Sequence, residues 1–161
     1  ANQAAIIMPN LVSALGAVTS PKFSRFGTRE HNKAYLHKSL LFFVLISLTS
    51  VVLLVPVGIS LMLFSGKAYF SGFLPFFIIL ISQGLFMAIT PVKDSILYYF
   101  SRPQFFFWAG ILHGTITLLS GILLLPRFGL VGAGLSNLFG QIFLSLASVT
   151  YYLKLSKNES K

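Results

Sequence analysis

The sequence predicts an all-α protein: a polytopic transmembrane helical bundle with four full spans and a partial N-terminal span. Three observations predict it. Hydrophobic residues make up 55% of the 161 residues and charged residues only 9%, against roughly 25% charge in a soluble globular chain. Mean hydropathy is +0.84. The few charges are also segregated: residues 39–66, 68–92, 103–126 and 128–153 are charge-free runs of 28, 25, 24 and 26 residues. About 20 residues cross the roughly 30 Å hydrocarbon layer as a helix, the open-chain structure that satisfies its own backbone in lipid. The runs are continuously apolar, without the alternation of barrel strands.

The elements follow in chain order. Residues 1–18 are charge-free but only modestly apolar, open on Ala1-Asn2-Gln3 and carry Pro9 and Asn10. Neither a basic n-region nor a cleavage site of a signal peptide is visible, so the segment reads as the latter part of a helix in a longer protein. Residues 19–39 are a basic connector, read as partly helical. Full spans are expected near 40–64, 73–92, 104–125 and 130–152. Pro75 falls in a first turn and reads as a start signal. Pro56, inside its span, is the hinge candidate, because proline frees a carbonyl and permits a kink. Pro91 is expected to end its helix just before Lys93-Asp94, which reads as a local ion pair.

Basic residues set the orientation. Lys22, Arg25, Arg29, Lys33 and Lys38 precede the first full span, Lys93 and Arg102 lie in the second connection after it, and Lys154, Lys157 and Lys161 form the tail. The intervening connections hold only Lys67 and Arg127. By the positive-inside rule the ten-residue set is cytoplasmic, the C-terminus with it. The net charge of +9 is then a signature of topology. The aromatic and basic stretch 21–38 could lie along anionic headgroups; nothing else in the chain supports nucleic acid as a partner.

Polar residues near mid-span are the substrate-cavity candidates: Gln83, His113 and Gln141, with Ser47, Thr49 and Ser50 at similar depth on the first full span. Transporters put substrate and ion sites at that depth; interhelical hydrogen bonding is the competing reading. Gly110 and Gly114, then Gly132, Ser136 and Gly140, repeat small residues at four-residue spacing. They are helix-packing candidates, either a static seam or one that slides.

Catalysis finds little support. The acids are Glu30, Asp94 and Glu159, all outside the spans, and there is no Cys. Gly134-Leu135-Ser136 lacks the following Gly of a nucleophile turn. No phosphate-binding loop or metal-ligand spacing occurs. No catalytic residue, metal site or cofactor is therefore expected.

Residues 123–143, Leu-Leu-Leu-Pro-Arg-Phe-Gly-Leu-Val-Gly-Ala-Gly-Leu-Ser-Asn-Leu-Phe-Gly-Gln-Ile-Phe, resemble the late-helix signature of polysaccharide flippases. That signature runs from an apolar stretch through Pro, a basic or polar residue, an aromatic and Gly to a Gly-Ala-rich helix start. Here these are Pro126, Arg127, Phe128 and Gly129, then Gly132-Ala133-Gly134. On this pattern Pro126 ends one helix and Gly129 turns the chain. Phe64-Ser65-Gly66-Lys67-Ala68-Tyr69 is similar to the family's F-G-x-x-Y turn, and Ser101-Arg102-Pro103 to its short basic turn. The resemblance implies the C-terminal part of a flippase of the multidrug/oligosaccharidyl-lipid/polysaccharide superfamily. Such a protein moves undecaprenyl-linked oligosaccharide across the bacterial inner membrane by alternating access, with an N-terminal lobe as partner. The family's cavity cations have no counterpart in these spans. A drug/cation antiporter of the same superfamily and a non-transporting membrane assembly subunit are the rival readings.

Overall fold

The computed structural model describes residues 2–25, 28–65 and 72–158. These residues form an all-α bundle: α1 (Asn2–Phe23), α2 (Arg29–Ser65), α3 (Phe73–Asp94) with a π-helical turn (Ser95–Tyr99), α4 (Pro103–Phe128) and α5 (Leu130–Asn158). No strand occurs among the described residues. Helices α2, α3, α4 and α5 are each long and apolar enough to cross a membrane. The side chains they turn outward explain why the bundle belongs in lipid. Leu45, Leu48, Val52 and Leu63 on α2 and Trp108, Leu118, Leu119 and Leu123 on α4 are exposed, and soluble monomers rarely present so many large apolar side chains together. The protein is a multi-pass membrane protein.

Successive helices run antiparallel, as the contacts at the two ends establish. At one end Asn32 reaches Ser95, Ser20 reaches Asp94, and Phe105 stacks on Tyr151 with ring centroids 4.4 Å apart. At the other, Gly58 lies against Phe76, Gly132 against Leu124, and Gly134 against Pro75 and Ile78. Helix α3 is the hub, packing on α1, α2 and α5, while α4 packs on α5. The described basic side chains divide accordingly: Lys22, Arg25, Lys33, Lys38, Lys93, Arg102, Lys154 and Lys157 lie towards the first end and Arg127 towards the second.

Several boundaries differ from the expected ones. The connector is helical from Arg29 onward, so α2 has 37 residues and is roughly 55 Å long at 1.5 Å per residue. Helix α1 ends at Phe23 and α2 begins at Arg29. Pro56 lies inside α2, which continues unbroken to Ser65, and its ring is exposed. Pro91 does not end α3; the helix continues to Asp94 and then widens into the π-helical turn. There the Ser95 N–H donates to the Pro91 and Val92 carbonyls, and Phe100 N–H reaches back five residues to Ser95. Pro126 also falls inside its helix, which runs on to Phe128. Its missing N–H leaves the carbonyl of residue 122 without its usual helical donor, and the helix continues past it for one short turn.

Gly129 alone joins α4 to α5. Its φ of 55° and ψ of −132° suit glycine because a Cβ would clash there, and its N–H caps Leu125 at 2.8 Å. The expected turn at Phe64–Tyr69 falls mostly outside the described residues.

Candidate functional site

The mid-span polar residues form a layer through four helices. Ser47 on α2 donates to the Gly84 carbonyl of α3 at 2.8 Å. Ile78 of α3 faces Gly134 of α5, and near the other end Phe100 meets Tyr152 at 5.8 Å between centroids, so α3 and α5 run parallel. Six residues on from Ile78 and Gly134, about 9 Å along each axis, come Gly84 and Gly140. Gly140 in turn abuts Thr117 and His113 of α4; a Cβ built there would stand 3.1 Å from His113 Nε2. Ser47, Gly84, Gly140, Gln141, His113 and Thr117 therefore share one level.

Level is shared, but facing is not. On α5, Gly132, Ser136 and Gly140 recur every four residues and line the α4 side: Gly132 meets Leu124, Ser136 meets Gly121 and Gly140 meets Thr117. Gly134, Gln141, Ser145 and Ser148, spaced seven, four and three residues apart, form a second buried stripe. Gly134 fixes that stripe towards α3, so Gln141 points there and not towards His113. Gln83 lies five residues from Ile78, roughly 140° around α3 at about 100° per residue. It shares a side with Asp94, eleven residues on, which bonds to α1. The three cavity candidates thus occupy three different seams of the same layer. Thr49 is exposed and Ser50 half-buried.

Among the described residues, three buried side-chain atoms find no hydrogen-bond partner: His113 Nε2, Thr117 Oγ1 and Gln141 Nε2. All three belong to the layer. Thr117 stands one helical turn from His113 on the same face of α4, and it also lines an open groove of about 540 Å³ bounded by Gly121, Leu125 and Pro126. It was not among the sequence candidates, although a hydroxyl four residues from an intramembrane histidine is a readable signal. Leaving a buried polar atom unbonded costs about 1–3 kcal/mol each, more in hydrocarbon than near water.

The packing candidates divide. Gly132, Ser136 and Gly140 form the α4–α5 seam. Gly110 and Gly114 are exposed, with open space where a Cβ would stand; this G-x-x-x-G makes no seam within the described chain.

A second polar cluster lies at the basic end. Ser20 of α1 donates to Asp94 Oδ2 at 2.7 Å, and Asn32 of α2 and Ser95 lie 3.2 Å apart, both buried. The Tyr35 hydroxyl reaches the Thr19 carbonyl at 3.4 Å. Lys93 and Asp94 attract one another as expected of neighbours of opposite charge, and the Lys93 ammonium also stands 3.7 Å over the Phe86 ring. Consecutive helical residues point about 100° apart, so each neighbour also reaches a further partner, Lys93 the Phe86 ring and Asp94 the Ser20 hydroxyl. Together these bonds fasten α1, α2 and the π-helical turn to one another.

No group of three or more His, Asp or Glu side chains able to hold a metal occurs among the described residues. Comparison of the chain with protein-family models, with curated proteins and with solved structures finds no match.

Proposed function

We propose that this chain is the C-terminal part of a flippase that moves a lipid-linked oligosaccharide across the bacterial inner membrane by alternating access, with its C-terminus in the cytoplasm. The observation that carries the reading is the set of unbonded polar atoms on His113, Thr117 and Gln141 at mid-span. A layer that merely joined helices would use its hydrogen-bonding capacity, as Ser47 does with Gly84. The atoms are enclosed in this conformation, and groups left unbonded at that depth suit a polar passenger, or the water around it, that meets them when alternating access parts the seams. A glycan offers hydroxyls that both donate and accept, and its lipid tail is at home against the apolar exterior of the bundle. The resemblance of residues 123–143 to late helices of polysaccharide flippases supports the same reading. So does the basic bias of one end, which the positive-inside rule assigns to the cytoplasm. On this reading the protein carries its substrate and transforms nothing.

The test is export. His113→Ala, Gln83→Ala and Gln141→Ala are combined in the intact protein, and surface polysaccharide is measured at matched protein level. Loss of export is the expected result. Unaltered export at matched level would leave the layer structural and favour a non-transporting assembly subunit.

A further inference from the structure

We propose that the groove between the start of α2 and the end of α5 binds one anionic phospholipid. Lys33 and His37 hold its phosphodiester, and an acyl chain lies along Leu36, Leu40 and Tyr152. The groove is open, encloses about 520 Å³ and is lined by these residues together with Ala34 and Glu30. That volume falls within the roughly 300–1,000 Å³ of small-molecule sites.

Depth and charge select the occupant. Leu40 is the second residue of the charge-free run that begins at Ser39. His37 and Lys33 precede it by about one and two turns, which puts them at headgroup level when Leu40 enters hydrocarbon. The helical start of α2 matters here, because residues 33 and 37 share a face only if the segment is helical. The floor is firm: Leu36 is buried in a cluster with Val92 and Ile96, against which Leu40 and Tyr152 also pack. The rim offers the Lys33 ammonium and a ring N–H of His37, which donates in either neutral tautomer. Basic grooves between helices at a cytoplasmic surface suit anionic headgroups.

Glu30 makes the proposal sharp. It lies in the first turn of α2, where the helix dipole favours a carboxylate, and it lines the groove one turn beyond Lys33. A bound phosphodiester is therefore attracted by Lys33 and repelled by Glu30.

The experiment is native mass spectrometry of the purified full-length protein titrated with phosphatidylglycerol or phosphatidylcholine. Phosphatidylglycerol is expected to bind about five- to tenfold more tightly, the effect of one interfacial cation on an anionic headgroup. Lys33→Gln should remove most of that preference and Glu30→Gln should increase it. Lys154→Gln, at the same end but lining a different groove, should leave it unchanged. Equal affinity for the two lipids overturns the proposal. So does a loss in Lys154→Gln as large as in Lys33→Gln, which would mean diffuse attraction to the basic end. Ala34→Cys, in a sequence that has no cysteine of its own, provides the remaining check. Its disulfide crosslinking to a second copy, or to a cysteine placed elsewhere in the same protein, would show the groove filled by protein and overturn lipid occupancy.

Discussion

Gly132→Ala is the most informative single change in the bundle, because the new methyl meets backbone. A Cβ at residue 132 would stand 2.5 Å from the carbonyl carbon of Leu124 and 2.9 Å from Leu125 N. Backbone atoms of a helix cannot rotate aside, so α4 and α5 must part by roughly 1 Å to reach an ordinary separation of about 3.5 Å. They cannot part freely, because Gly129 alone joins them three residues away. A gap of that size forfeits about a quarter to a half of the local dispersion energy. Lipid supplies no hydrophobic drive to replace it. Overpacking of this kind costs about 1–3 kcal/mol, against a helix-propensity gain of at most about 1 kcal/mol for replacing Gly by Ala. Gly132→Ala should therefore destabilise the protein by about 1–2 kcal/mol. Gly114→Ala, where nothing lies within 4 Å, should be neutral or slightly stabilising. The assay is reversible unfolding in bicelles or mixed micelles, comparing both variants with the parent. Equal stability of Gly132→Ala and Gly114→Ala would refute the seam. A large loss in Gly114→Ala would refute the inference that this glycine faces lipid.

Three further outcomes are expected. Gly129→Ala forces a Cβ into a conformation at φ 55° and ψ −132°, costing about 1–3 kcal/mol; the same unfolding assay measures it, and an effect below about 0.5 kcal/mol contradicts the turn geometry. Gly140→Ala meets side chains of Thr117 and His113, which can rotate, so it should cost less than Gly132→Ala; an equal or larger cost would mean those side chains are locked. Ser20→Ala removes the donor to Asp94 and should cost about 1.5–3 kcal/mol, as bonds to charged groups do. Asp94→Asn keeps an acceptor oxygen and should cost less, and the reverse order would show that Ser20 is not the group holding Asp94.

The spans were legible because a charge is costly in hydrocarbon, so runs lacking Lys, Arg, Asp and Glu mark membrane-crossing segments directly. Helix ends were less legible. Residues 29–39 carry Arg29, Lys33 and Lys38 and read as a connector, yet charge forbids burial in lipid and does not forbid a helix in water. Pro91 and Pro126 read as terminators, but a proline disturbs the turn that precedes it and leaves the residues after it free to stay helical, as they do here. The common level of the mid-span polar residues was visible from span lengths alone. Their distribution over different seams was not, because it depends on the rotation of each helix about its axis, and contacts such as Gly134 with Ile78 set that rotation. Ser20 and Asp94 are 74 residues apart, and no local pattern pairs them.

Lipid is as apolar as the side chains that face it, so no hydrophobic drive holds the helices together and close packing and hydrogen bonds select their arrangement. The arrangement is therefore specified by small and polar residues, and each described seam has its own: Gly58 with Phe76 and Ser47 with Gly84 for α2–α3, Gly134 with Ile78 for α3–α5, Gly132 with Leu124 for α4–α5. At the basic end Asp94 and Ser95 fasten α1 and α2 to α3 through Ser20 and Asn32. In every one of these hydrogen bonds a buried or half-buried polar group meets a partner within the chain. Against that background His113, Thr117 and Gln141 stand apart. The α4–α5 seam does not require the polarity of His113 and Thr117, because Gly132 and Gly121 already close it with backbone and small side chains. Gln141 shares its stripe with Ser145 and Ser148, each of which bonds back to a carbonyl of its own helix, at residues 141 and 144. An apolar residue of similar size would avoid an unbonded atom at each of the three positions without disturbing any bond the helices use. The polarity of those three side chains is thus in excess of what this chain needs to fold, and that excess is the physical reason to look for their partner in whatever passes through, or packs against, the middle of the membrane.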